Sequence, residues 1–250
     1  MLRHAVILLL AILVSFSASA FTVVIDAGHG GKDVGSSEQG VLEKDVCLDV
    51  ALIVGRMLSA NKGVKVVYTR TTDVFVDLQR RAAIANEEKA DVLLSIHCNS
   101  MSDNTAGRER YKGTVTYILG PDGVGQNLDV THRETTVQSL ESNYTTHYET
   151  YDYNSDESHI IYEMSQQQNM QQSLGLAQNI QRHMVKVAGR DDAGVYQASY
   201  VVLARAAMPA ALVELDYLSN ADSRAFLTSP EGATLLARAL CAALQDTFLH

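Results

Sequence analysis

The chain has 250 residues and a formal charge of −9 at pH 7. That length fits one large domain or two small ones, with a sizeable buried core. No cluster of Lys and Arg interrupts the acidic balance, which excludes a surface that tracks a phosphate backbone, so nucleic acid is not an expected partner.

Residues 1–20 stand apart. Arg3 and His4 precede an apolar run from Ala5 to Phe16, and Ala18-Ser19-Ala20 follows. A positive head, a short hydrophobic segment and an A-x-A site read as a secretory signal peptide cleaved after Ala20. An uncleaved anchor is the weaker alternative: the run is short for a bilayer span, and a strand begins with no spacer. No other run is long enough to span, so no membrane contact is expected after cleavage. The cysteines are Cys47, Cys98 and Cys241, an odd number that offers no disulfide framework. Cys47 and Cys241 lie on apolar helical faces. Cys98 should point away from the side that its neighbour His97 faces, so all three read as core.

Phe21 to Asp26 is a β-branched apolar run, expected as a buried strand. It breaks into Ala27-Gly28-His29-Gly30-Gly31, whose glycines allow a sharp turn that leaves the imidazole uncovered. Glu43 to Ala60 shows a helical stripe (Val46, Val50, Val54, Met57, Leu58) closed by Asn61-Lys62-Gly63. A strand over Val64–Thr69, a turn at Thr71–Asp73 and a polar-faced helix over Asp77–Lys89 follow. Asp91 to His97 is a second buried strand, Met101 to Tyr111 a polar loop, and Gly113 to Leu119 a strand ended by Gly120-Pro121-Asp122-Gly123.

From Gly125 to about Gln172 the character changes. Eight acidic residues follow Leu128, aliphatics are few, and five of the eleven tyrosines (Tyr144, Tyr148, Tyr151, Tyr153, Tyr162) fall here, so this reads as an insertion lying on the domain. Gln166 to Gln172 reads as a solvated helix face. Ser173–Val187 is helical, Tyr196–Leu203 strand-like and Ala210–Leu215 the last core strand. Ser229-Pro230-Glu231 opens the final helix with an N-cap, a first-turn proline and a favourable acid. Apolar strands alternating with helices predict a single α/β domain, a mostly parallel twisted sheet with helices on both faces.

Four chemically promising residues fall at strand ends. His29 follows the first strand, His97 ends another, Glu214 ends a third, and Glu43 opens the helix after the His29 loop. Open α/β sheets bind ligands beyond the carboxyl ends of their strands. Two histidines and a carboxylate suit a zinc ion with an open position for water, and the second carboxylate can move the proton. Taken singly, each has a plainer reading. The glycine loop could cradle phosphate, although no Walker or dinucleotide spacing follows. Glu43 could serve a helix N-terminus, and His97 could be a core histidine. Glu214 is harder to dismiss, because a carboxylate in an apolar strand is costly unless it is paired or functional. Asn99, two residues past His97, shares its side of the strand and could orient a ligand or substrate.

At these residues the chain resembles the zinc-dependent N-acetylmuramoyl-L-alanine amidases of the amidase-3 type, which are cell-wall hydrolases. The matching segments are Asp26–Gly35 (DAGHGGKDVG), Leu42–Val46 (LEKDV), Thr69–Asp73 (TRTTD), Leu78–Asn86 (LQRRAAIAN), Ser95–Ser100 (SIHCNS) and Pro209–Asn220 (PAALVELDYLSN). The resemblance implies zinc held by His29, Glu43 and His97, with Glu214 as the catalytic carboxylate. It also implies peptidoglycan as substrate, cut between the lactyl group of N-acetylmuramic acid and the L-alanine of the stem peptide. Where the family usually has Gly-Phe, this chain has Asp216-Tyr217, which alters the pocket wall. Relatives with long insertions can cover the zinc with a helix that supplies a blocking glutamate. Here Glu134 and Glu141 are the candidates, and a protein activator would relieve such a lid. The alternative is a folded wall of the substrate groove. Competing functions are a zinc peptidase or deacetylase on another amide, and a catalytically silent wall-binding or regulatory protein. The expected form is a secreted, periplasmic monomer.

Overall fold

The computed structural model describes residues 20–120 and 156–249. The expected leader up to residue 19, the insertion from 125 to 155, and Glu134 and Glu141 within it lie outside the described residues.

Runs of Val, Ile and Leu become strands where both faces can be covered. The main strands are β1 (Phe21–Ala27), β4 (Val64–Tyr68), β5 (Val92–Asn99), β6 (Thr114–Leu119), β7 (Asp192–Ala198) and β8 (Ala210–Tyr217), in the order β4-β1-β5-β8-β6-β7. β4, β1, β5 and β8 are mutually parallel, β6 runs antiparallel to β8, and β7 is parallel to β6. A two-residue hairpin, β2 (Ser37–Glu38) with β3 (Val41–Leu42), precedes the first helix. The helices are α1 (Glu43–Leu58), α2 (Leu78–Glu87), α3 (Asp156–Ala188), α4 (Val201–Ala204), α5 (Ala221–Leu227) and α6 (Pro230–Phe248). The expected α/β sheet, mostly parallel with helices on both faces, is the observed one.

Side-chain alternation assigns the two faces. Val23, Ile25, Leu94, Ile96, Val213 and Leu215 pack under α1, α3 and α6, against Val50, Val54, Leu176, Ile180, Leu236 and Leu240. Val24, Leu93, Leu212 and Tyr117 pack on the other face with Ala85 of α2 and Val202 and Leu203 of α4. Burying each such side chain stabilises by roughly 1.5–3 kcal/mol. The sheet is therefore a rigid platform whose carboxyl edge can carry costly polar groups. All three cysteines are free and buried, with Cys47 and Cys98 inside the first layer, as expected. No helix among the described residues is long and apolar enough to cross a membrane.

Three expectations shift. α3 starts at Asp156, so the glutamine run and the end of the expected insertion continue into the helix expected at Ser173. Polar residues with good helix propensity extend the helix beyond the part whose apolar face announced it. β7 begins at Asp192, earlier than the expected Tyr196; Gly194 has φ +105°, yet the strand continues through it. Val201–Ala204 is a single helical turn rather than strand. The last helix starts as expected, with the Ser229 hydroxyl accepting the Gly232 N–H at 2.9 Å.

The carboxyl end of β1 is built on a buried ion pair. Asp26 Oδ1 lies 2.7 Å from Arg81 Nη1 and accepts the Thr69 hydroxyl at 2.7 Å, while Oδ2 accepts the Ser95 hydroxyl at 2.7 Å. Burial alone would raise the Asp26 pKa. The Arg81 charge, with His97 and the two hydroxyls, outweighs it and holds the pKa at about 2, below the ordinary 3.8. A carboxyl with a depressed folded pKa adds stability that is fully present above its unfolded pKa and is lost as pH falls toward the folded value. Asp26→Asn should therefore cost about 2–4 kcal/mol in urea unfolding at pH 7. The gap between wild type and variant should close between about pH 4 and pH 2. A gap that stays constant through that window would show that the charge of Asp26 does not stabilise the fold.

Candidate metal centre

The loop after β1 is held by its main-chain carbonyls. Arg81 donates through Nη1 to Ala27 O and through Nη2 to His29 O, both at 2.7 Å. Arg70 donates through Nε to Ala27 O at 3.0 Å, and through Nη2 to Gly28 O and Lys44 O, both at 2.7 Å. Two buried guanidinium groups thus hold three consecutive carbonyls and the start of α1. His29 takes φ 58°, a left-handed conformation that is uncommon for a residue with a side chain and needs such external support. A Cβ on Gly28 would come within 2.5 Å of the His97 ring, so glycine there is what lets the second imidazole lie against the loop. Further out, Asp73 accepts the Gly31 N–H and the Lys44 ammonium, each at 2.7 Å.

Three side chains then converge. His29 Nε2 lies 3.0 Å from Glu43 Oε1, His97 Nδ1 lies 3.1 Å from His29 Nε2, and His97 Nδ1 lies 3.2 Å from Glu43 Oε1. All three residues are buried, with relative exposures of 3%, 0% and 6% for His29, Glu43 and His97. Among the described residues this is the group of His, Cys, Asp and Glu side chains able to hold a metal ion. Each member is set by a second contact. Asp33 Oδ2 lies 2.9 Å from His29 Nδ1; accepting a hydrogen bond from an Nδ1–H leaves Nε2 with its lone pair inward. Glu43 Oε2 accepts the Ser36 N–H at 2.8 Å, and its Oε1 accepts the Cys98 N–H at 3.0 Å. Burial opposes ionisation of Glu43, but His29 and His97 outweigh it and hold the carboxyl well below its usual range. Asp33 shifts down in the same way, with burial outweighed by His29.

Glu214 is fully buried beside this group. It is the register partner of His97 across the parallel β5–β8 pair, so the two side chains leave the same face of the sheet. Burial first, then the Glu214 charge, push the phenols of Tyr117 and Tyr217 far up. Asn99 ends β5, fully buried, with neither side-chain amide atom hydrogen-bonded among the described residues. Cys98 faces the core instead of the cluster, as strand alternation requires. The structure thus brings together His29, Glu43 and His97, with Glu214 alongside.

Arg70, Arg81, Asp33 and Asp73 are what the sequence reading missed. Arg81 carries the one available signal: it falls one residue before Ala82 and four before Ala85, on the inward stripe of α2, where a cation has no business unless it is paired.

The family model for N-acetylmuramoyl-L-alanine amidases matches residues 23–246. The chain is 29% identical over 223 residues to the probable N-acetylmuramoyl-L-alanine amidase AmiB of Haemophilus influenzae, covering 86% of this chain and 49% of that one. It is 27% identical over 212 residues to N-acetylmuramoyl-L-alanine amidase AmiA of Escherichia coli, covering 82% and 68%. The chain thus spans about half the length of AmiB. An N-acetylmuramoyl-L-alanine amidase structure from Clostridium difficile 630 superposes with a TM-score of 0.67 at 25% identity, covering 92% of this chain and 97% of that one. With fold, residue cluster and family model in agreement over nearly the whole described chain, this protein belongs to the N-acetylmuramoyl-L-alanine amidase family.

Proposed function

We propose that the chain is a zinc-dependent amide hydrolase. Its substrate would be peptidoglycan, cut between the lactyl group of N-acetylmuramic acid and the L-alanine of the stem peptide. The observation that carries this reading is the convergence of His29 Nε2, His97 Nδ1 and Glu43 Oε1, separated by 3.0–3.2 Å, with Glu214 in register alongside. Tetrahedral zinc with bonds of about 2.0–2.1 Å to nitrogen and oxygen spaces its ligand atoms about 3.3 Å apart, so this donor set fits. Two imidazoles and one carboxylate leave a fourth position open, the composition of a catalytic site.

When bound, zinc supplies a Lewis acid and brings the pKa of a bound water close to neutral. The protein does the rest. Asp33 keeps His29 in the tautomer that offers Nε2, and the Ser36 and Cys98 amides keep Glu43 from turning. Glu214 takes a proton from the attacking water as its oxygen bonds to the carbonyl carbon. It then returns that proton to the nitrogen of L-alanine as the C–N bond breaks, leaving a lactyl carboxylate and a free amine. The Asn99 amide is available to orient the substrate. The same residues would suit a peptidase or deacetylase on another amide; family membership favours the muramyl amide. A silent binder has no use for Glu214. The 1–20 leader would deliver the enzyme outside the cytoplasm, to the periplasm, and a protein activator acting on 125–172 belongs to the same reading.

Digestion of purified sacculi by the zinc-loaded protein, read by mass, should release stem peptides that begin at L-alanine. Glu214→Gln should lower release by about a thousandfold or more while binding zinc within about threefold of wild type. Wild-type release from Glu214→Gln would remove its assigned role, and release of glycan fragments alone would remove the amidase reading. Asp33→Asn should weaken zinc binding by about 10–100-fold in a chelator competition, with activity restored by excess zinc. Unchanged affinity would show that Asp33 does not set the His29 tautomer.

A further inference from the structure

β8 does not run straight past Glu214. His97 pairs with Glu214 and Asn99 with Tyr217, so the single residue Cys98 stands opposite both Leu215 and Asp216. That extra residue is a β-bulge, a device that bends a strand and re-aims the neighbouring side chain. On the other edge of β8 the antiparallel ladder with β6 ends at Val115 opposite Glu214. Past that point side chains replace the ladder. Asp216 Oδ1 accepts the N–H of Gly113 and that of Tyr217, both at 2.8 Å. The Thr114 hydroxyl donates to Leu215 O at 2.8 Å. Asp216 is 1% exposed, and Arg190 donates from Nη1 to its Oδ2 at 3.1 Å. Arg190 is itself fixed: its Nε donates to Ala188 O at 3.2 Å, and its guanidinium lies 3.8 Å from the Phe226 ring centroid on α5. Gly113 takes φ +105°, and a Cβ there would sit 2.8 Å from Asp191 O, so only glycine lets this stretch of backbone come close enough for Asp216 to grip.

Each contact bears on the two residues immediately after Glu214. A buried carboxylate that ties together two main-chain N–H groups and a stacked arginine is an expensive way to end a strand unless its geometry matters. We propose that Asp216 is a positioning residue: held by Arg190 and Gly113, it fixes the β8 bulge that aims Glu214 at the His29–Glu43–His97 group. The role given to Glu214 rests on the amidase reading above; the placement of its side chain does not.

The test uses the full chain and three variants. Asp216→Gly removes the whole grip. Asp216→Asn keeps an oxygen for Gly113 and Tyr217 and drops only the ion pair. Arg190→Met drops the same ion pair from the other side, so the proposal survives a failure of Asp216→Gly to fold. Crystal structures should show the Glu214 carboxylate displaced by about 1 Å in Asp216→Gly and by less in the other two. On a soluble muropeptide, kcat should fall about a hundredfold in Asp216→Gly and about tenfold in the others, with KM within about threefold and zinc affinity within about twofold. A Glu214 carboxylate in its wild-type position in all three variants overturns the proposal, as does a loss confined to KM or one that tracks lost zinc affinity. If the wild type cuts the muropeptide at a bond other than the muramyl amide, the amidase reading falls. A displaced Glu214 still supports the positioning in that case, and an undisplaced one still overturns it.

Discussion

The site depends on two guanidinium groups held against main-chain carbonyls. When β1 ends, the carbonyls of Ala27, Gly28 and His29 lose their ladder partners, and in a buried position each would cost about 1–3 kcal/mol if left alone. Arg70 and Arg81 satisfy all three. The arginines are themselves buried cations and would be costly if unpaired; Asp26 neutralises Arg81 at 2.7 Å, and two hydroxyls complete Asp26. Burial pulls the Arg70 pKa down, yet a guanidinium stays charged at any physiological pH. The network closes on itself, and its product is a loop with a fixed shape and a histidine in a left-handed conformation.

Fixing that loop matters because the converging donors come from distant parts of the chain. His29, Glu43 and His97 belong to a loop, a helix start and a strand end, and none can find the others without the finished sheet. The main-chain N–H groups of Ser36 and Cys98 hold one carboxylate from two sides. Both donors belong to the main chain, so backbone geometry fixes the carboxylate whose Oε1 then meets His29 and His97. Such a site is organised before any ligand arrives, which keeps reorganisation out of the chemical step.

How much of this could be read from sequence follows from the same physics. Parallel strands buried on both faces appear as unbroken apolar runs, so β1, β5 and β8 were legible, and with them the positions of His29, His97 and Glu214. Glu43 was legible as the acid that opens a helix. Arg70 was not, because an arginine among Thr and Asp looks solvated until the fold shows it facing inward, and Arg81 offered only its place on the inward stripe of α2. Asp216 was visible only as a change in the pocket wall: a bulge is a register shift between strands more than a hundred residues apart, and no local pattern records it. α3 was cut short in the reading because its first part lacks the apolar stripe that announced the rest.

The strand order explains why the site lies where it does. From β1 the chain crosses by way of α1 to β4 on one side, then returns by way of α2 to β5 on the other side of β1. The connections that leave the carboxyl ends of β1 and β5 therefore run in opposite directions, toward β4 and toward β6, and a crevice opens between them. His29 follows β1 and His97 ends β5, so the two imidazoles line that crevice from both sides. β8 joins next to β5 in the same direction, which puts Glu214 beside His97. Then β6 reverses direction. A parallel strand there would need a crossover connection above the same crevice; the antiparallel one keeps the start of β6 at the site, where Gly113 and Thr114 meet the backbone after Glu214. Direction reversal and bulge thus act at one place: both bear on the backbone that follows Glu214, while the acid itself stays buried.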